Sequence, residues 1–76
     1  MTQTKGEYRV GINFNPSNDD LVGQIKRRAA DLIDLIETVP TLDVVERGRL
    51  KALAQTAIED GAMWAVKAAT KPEAEA

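Results

Sequence analysis

Cysteine and histidine are both missing from this chain of 76 residues, and aromatic residues make up only 4% of it. Their absence excludes disulfides, the usual cysteine and histidine zinc centres, cysteine nucleophiles and histidine general bases. A chain this short buries roughly 60% of the surface its unfolded form exposes, and small domains commonly lean on a disulfide, a metal or a partner subunit. Self-association is the route left. The sequence also lacks any run of about 18 apolar residues and any charged-then-apolar leader, so neither a membrane nor export is expected and the cytoplasm is the expected compartment. An excess of positive charge is missing too: 10 Lys and Arg stand against 12 Asp and Glu, a net charge of −2, with a pI of about 5.0. Proteins that coat polymeric nucleic acid neutralise many phosphates with surplus Lys and Arg, which argues against that class while leaving a small anionic ligand open.

What is present divides the chain into an N-terminal arm over residues 1–16, a helical domain over 17–71 and a disordered tail over 72–76. Residues 1–7 are polar and aperiodic, and both ends are expected to fray. From Tyr8 to Phe14 a weak alternation around Gly11 suits an extended arm better than a helix. Ser17 or Asn18 can then cap a helix whose first turn carries Asp19 and Asp20. Apolar residues recur at three and four from Leu21 through Ile25, Ala29, Leu32, Ile33 and Ile36 to Val39, where Pro40 stops the pattern. Asp43 with Glu46 resembles a capping box for a second helix running to about Thr70. A connection this short around Pro40 requires an antiparallel hairpin, so the expected fold is all-α.

The second helix carries Leu50, Leu53, Ala54, Ala57, Ile58, Gly61, Trp64, Ala65 and Ala68 at helical spacing, a small-residue seam suited to close packing on the first helix. A further apolar surface runs through Val45, Ala52, Ala62, Met63, Val66 and Ala69. One hairpin cannot cover both, which implies a homo-oligomer. On the first helix Arg28 falls between Leu21, Leu32 and Leu35 inside the apolar arc, where it snorkels, pairs with Asp31 or meets an anionic ligand. Lys26 lies at the other margin of that arc. Trp64 suits a core or interface anchor better than a base-stacking platform. Tyr8, beside Arg9, offers a flat ring and a cation, which suit a base and a phosphate. Asp31, Asp34 and Glu37 are spaced for salt bridges along a helix rather than for acid–base work, no phosphate-binding glycine loop is present, and no enzymatic activity, metal or cofactor is expected.

Several segments carry a resemblance: Asn13-Phe14-Asn15-Pro16-Ser17, Ile25-Lys26 followed by Ala29-Ala30-Asp31-Leu32-Ile33-Asp34, Arg49 to Thr56, and above all Met63-Trp64-Ala65-Val66-Lys67-Ala68. From about Tyr8 to Lys71 the chain resembles the phage anti-CBASS cyclic-nucleotide sponge family, whose helical hairpin also occurs in Thoeris anti-defence sponges. The resemblance implies a homohexamer in the host cytoplasm that sequesters cyclic dinucleotides and trinucleotides between protomers without breaking a bond. It implies that Lys26 serves a dinucleotide pocket in which Tyr8 or Phe14 stacks on a base and Asn13 or Asn15 meets a base edge. Lys67 then serves a second, trinucleotide pocket. With Arg28 as a further cation, the expected ligand-binding residues are Tyr8, Asn13, Phe14, Lys26, Arg28 and Lys67. Two other classes compete: a helical interaction module that inhibits a host protein through Met63 and Val66, and a helix-turn-helix DNA binder, which the net charge and the hairpin connection disfavour.

Overall fold

A computed structural model describes residues 2–15, 19–42 and 44–72. The described residues form three helices, α1 (Lys5–Val10), α2 (Asp20–Glu37) and α3 (Val45–Thr70), and contain no strand.

The first helix corrects the expectation of a frayed start and an extended arm. Thr4 and Glu7 form a capping box: Glu7 N donates to Thr4 Oγ1 at 3.1 Å, and Thr4 N donates to Glu7 Oε1 at 2.9 Å. Gly11 ends the helix in the left-handed region, with φ 64° and ψ 56°. Six residues cannot hold a helix alone, so packing must supply the rest. Gly6 lies so close to α2 that a Cβ there would sit 2.1 Å from the carbonyl oxygen of Ala30. Beside that crossing Gly6 N donates to Asp34 Oδ1 at 2.7 Å, and Arg27 Nη1 donates to Glu7 Oε2 at 2.8 Å. Tertiary contact overrides the weak alternation from Tyr8 to Phe14.

Helix α2 starts at a different cap from the one expected. Asp19 accepts from Leu21 N at 2.9 Å, and Asn15 brackets it, donating through Nδ2 to Asp19 O at 2.9 Å and accepting from Asp19 N at 3.1 Å. Ser17 and Asn18 lie outside the described residues, as does Asp43 of the expected second capping box. Val44 precedes α3 without a side-chain capping bond, and Glu46 instead accepts from Arg49. The antiparallel hairpin is as expected: Lys51 of α3 reaches Val39 O, and Gln55 reaches Ile33 O at 3.0 Å. Later residues of α3 thus meet earlier residues of α2.

The packing face of α3 lies between the two expected ones: Ala54, Ile58 and Ala65 of the seam and Val66 and Ala69 of the second surface are half-buried, while Val45, Ala52 and Met63 are exposed. Gln55 and Ala62 are its buried residues, whereas Leu50, Leu53, Ala57, Gly61, Trp64 and Ala68 from the expected seam are exposed. A polar residue explains the choice. Gln55, only 1% exposed, donates to Ile33 O and Glu37 Oε1 at 3.0 Å each and accepts from Lys5 Nζ at 3.0 Å, so one amide joins all three helices. Apolar periodicity gives no weight to a glutamine. On α2 the buried residues are Val22, Lys26, Ala30 and Ile33, while Leu21, Arg28, Leu32 and Leu35 face outward. Arg28 therefore lies on an exposed apolar stripe, and Arg27 is the residue that pairs with Asp31, at 2.8 Å.

The three helices lie nearly in one layer, with extents of 56 × 33 × 12 Å. A layer about one helix thick has no second layer to close its core. Its buried hydrophobic residues are Val22, Ala30, Ile33 and Ala62.

Candidate functional site

The described helices line an open groove of about 380 Å³. Its walls follow from the packing just described: α1, fixed at Gly6, turns Arg9 and Val10 toward α3; α2 contributes Lys26; and α3 contributes Thr56, Glu59 and Asp60 above an apolar floor of Ala62, Met63 and Val66.

Lys26 is 7% exposed, and its ammonium is held by the turn that follows α1. Lys26 Nζ donates to Gly11 O at 3.0 Å and to Phe14 O, and lies 5.3 Å from the centre of the Phe14 ring. Among the described residues it forms no ion pair with a carboxylate. A buried cation without a counter-ion is costly, and carbonyl dipoles compensate it only in part. Lys26 therefore brings to the groove lining a positive charge that no described carboxylate pairs with directly. Arg9 differs: its Nε donates to Glu59 Oε1 at 2.6 Å and its Nη2 to Thr56 Oγ1 at 3.2 Å, so its charge is matched from α3. Asp60 lines the groove and has no hydrogen bond or ion pair among the described residues.

Of the six residues expected to bind ligand, Phe14 and Lys26 are brought together. Phe14 is 73% exposed, its outer face open, and Asn13 stands exposed beside it in the same turn. Tyr8 is exposed on α1. Arg28 is exposed on α2, away from the Lys26 side chain. Lys67 lies on α3 with its Nζ 5.4 Å from the Trp64 ring centre, both side chains exposed. Lys26 and Lys67 are thus separate positions within one chain. Sequence patterning noticed Arg9 only as a neighbour of Tyr8 and passed over Glu59. The available signal was the Thr4-x-x-Glu7 capping box, which makes residues 5–10 helical and turns Arg9 inward.

Opposite charge also fixes the end of the hairpin. Lys5 donates to Glu37 at 2.8 Å, with Gln55 and then Lys51 adding to it, and together these hold the Glu37 carboxyl down to about 2. Glu7 is lowered as well, first by its hydrogen bond from Arg27 and then by the Thr4 backbone. Both shifts belong to pairs that dock α1, not to the groove. No group of three or more ligating side chains suited to a metal occurs among the described residues, and no described helix is long and apolar enough to cross a membrane.

No curated protein and no solved structure matches the chain. A family model described as Acb2/Tad1, hairpin domain, matches residues 6–70, a span that begins at the Gly6 crossing and ends with the last residue of α3. The chain belongs to that family of anti-CBASS and anti-Thoeris sponges.

Proposed function

We propose that the protein binds cyclic oligonucleotide second messengers and holds them between copies of itself in the host cytoplasm, so that CBASS effectors are not activated. The observation that carries this reading is the buried Lys26, a residue of the groove lining whose ammonium has no carboxylate partner among the described residues and lies beneath an exposed aromatic ring. An anion that also presents a flat face meets both features at once, and a nucleotide is such an anion. Lys26 and Phe14 then form the dinucleotide pocket with Asn13 at its edge, and Lys67 beside Trp64 serves trinucleotides in a second one. Tyr8 and Arg28, both exposed, contribute from neighbouring copies.

Association is part of the proposal. Leu50, Leu53, Trp64, Leu32 and Leu35 all lie more than two-fifths exposed on a single layer of helices. Water-exposed apolar area of this kind favours a second layer, and the family resemblance points to six copies. In this reading the ligand is bound rather than consumed.

The test is thermal unfolding with a panel of cyclic dinucleotides and trinucleotides. A ligand bound only by the native protein raises the melting temperature by mass action, and Lys26→Ala should lose the dinucleotide response. No shift with any member of the panel would refute the proposal and favour direct contact with a host protein.

A further inference from the structure

The groove is not uniformly positive. Arg9 and Lys26 contribute two positive charges, and Glu59 and Asp60 two negative ones. A site that recognised phosphate alone would gain nothing from the second pair, since a carboxylate facing an anion repels it. Glu59 is accounted for by Arg9, at 2.6 Å. Asp60 is not: its carboxylate lines the groove with no described partner. It stands three residues before Met63 on α3, so the two side chains share one helix face, and both line the groove together with Lys26.

A carboxylate accepts hydrogen bonds and donates none. The ligand group that satisfies it must present donors, and that group must also be flat and apolar on its faces to lie on Met63, Ala62 and Val66. Guanine presents two adjacent donors, N1–H and the N2 amino group, on one edge, which a carboxylate accepts in bidentate fashion. Adenine presents its N6 amino group next to the N1 lone pair, and that lone pair faces the second carboxylate oxygen unfavourably. We propose that Asp60 is a specificity-determining residue: it accepts from the N1–H and N2 amino group of a guanine lying on the Met63 floor, while Lys26 meets the phosphate, so the groove prefers guanine-bearing cyclic dinucleotides over adenine-bearing ones. This inference rests on the proposed cyclic-nucleotide site and adds the base that it selects.

Calorimetric titration of the intact assembly with cyclic di-GMP, cyclic di-IMP and cyclic di-AMP tests it. The inosine ligand keeps N1–H and lacks the N2 amino group, so the expected order of affinity is guanine, then hypoxanthine, then adenine. The guanine ligand should bind about tenfold or more tighter than the adenine one. Asp60→Asn removes the two-acceptor edge and should bring the guanine and adenine affinities to within about threefold of each other; because Asp60 is exposed and makes no contact that holds the fold, the variant should keep the wild-type mass and melting temperature. Equal binding of guanine and adenine ligands by the wild type, or a guanine preference that survives Asp60→Asn, would overturn the inference and leave the sponge reading standing. Failure of all three ligands and of a cyclic trinucleotide to bind would overturn both.

Discussion

Replacing Gly6 with Ala tests whether α1 is a docked helix. The new Cβ would sit 2.1 Å from the Ala30 carbonyl oxygen, 2.8 Å from its carbon and 2.9 Å from its Cα. All three are backbone atoms inside α2, so relief must come from α1. Ordinary contact begins near 3.4 Å, which requires a retreat of about 1.3 Å. The Gly6 N to Asp34 hydrogen bond, now 2.7 Å, cannot survive a displacement of that size. Overpacking costs roughly 1–3 kcal/mol, and the loss of a hydrogen bond to a charged group about 1.5–3 kcal/mol. Ala gains about 1 kcal/mol over Gly from helix propensity, and a net loss of about 1.5–5 kcal/mol remains. Gly48→Ala is the control: it lies in α3 with nothing within 4 Å of its added Cβ, so it should gain up to about 1 kcal/mol. Urea unfolding at fixed protein concentration, with the assembly mass checked for each variant, reads both. A Gly6→Ala protein as stable as the wild type would refute the docking of α1, because an extended arm would accept the methyl group without cost.

Gln55→Ala should destabilise the fold by about 1–3 kcal/mol in the same unfolding assay, since it removes the amide shared by Ile33, Glu37 and Lys5 and strands polar groups in a buried place. The depressed Glu37 carboxyl fixes a pH window. Its folded value of about 2 lies below the ordinary 4.5, so its stabilisation is fully present above pH 4.5 and lost as pH falls toward 2; the melting temperature should be level near neutrality and decline through that interval, less steeply in Lys5→Ala. In calorimetric titrations of intact assemblies, Lys26→Ala should weaken cyclic dinucleotides by about 1.5–3 kcal/mol, roughly ten- to a hundredfold, and spare trinucleotides, with Lys67→Ala doing the reverse. Equal losses on both ligands from either substitution would replace two pockets with one.

The hairpin was legible because its signals are local and repeated: a three-and-four apolar spacing from Leu21 to Val39, a break at Pro40, and helical spacing to Thr70. Which face of α3 packs inward was not legible. The seam from Leu50 to Ala68 is the more apolar face, but a hydrogen-bonded Gln55 sits at the actual contact, and a buried glutamine reads as a surface residue until its three partners are known. Helix α1 failed for a different reason. Its capping box stood in the sequence at Thr4 and Glu7, yet a six-residue helix exists only through Gly6 against Ala30 and Gly6 N on Asp34, contacts that cross about 24 to 28 positions of chain. Lys26 was legible as a position and not as an environment. Its burial, its bonds to Gly11 O and Phe14 O, and the lack of a carboxylate partner depend on the turn after α1, which the reading of an extended arm did not contain.

A sponge captures a cyclic messenger and keeps it whole. Incubating the protein with a cyclic dinucleotide, removing free ligand by filtration, denaturing the retained protein by heat and chromatographing the released nucleotide tests capture and integrity together. The retained fraction should release the cyclic dinucleotide chemically intact, in fixed proportion to the protein added. Linear products in proportion to protein, or no retained nucleotide at all, would contradict the sponge reading.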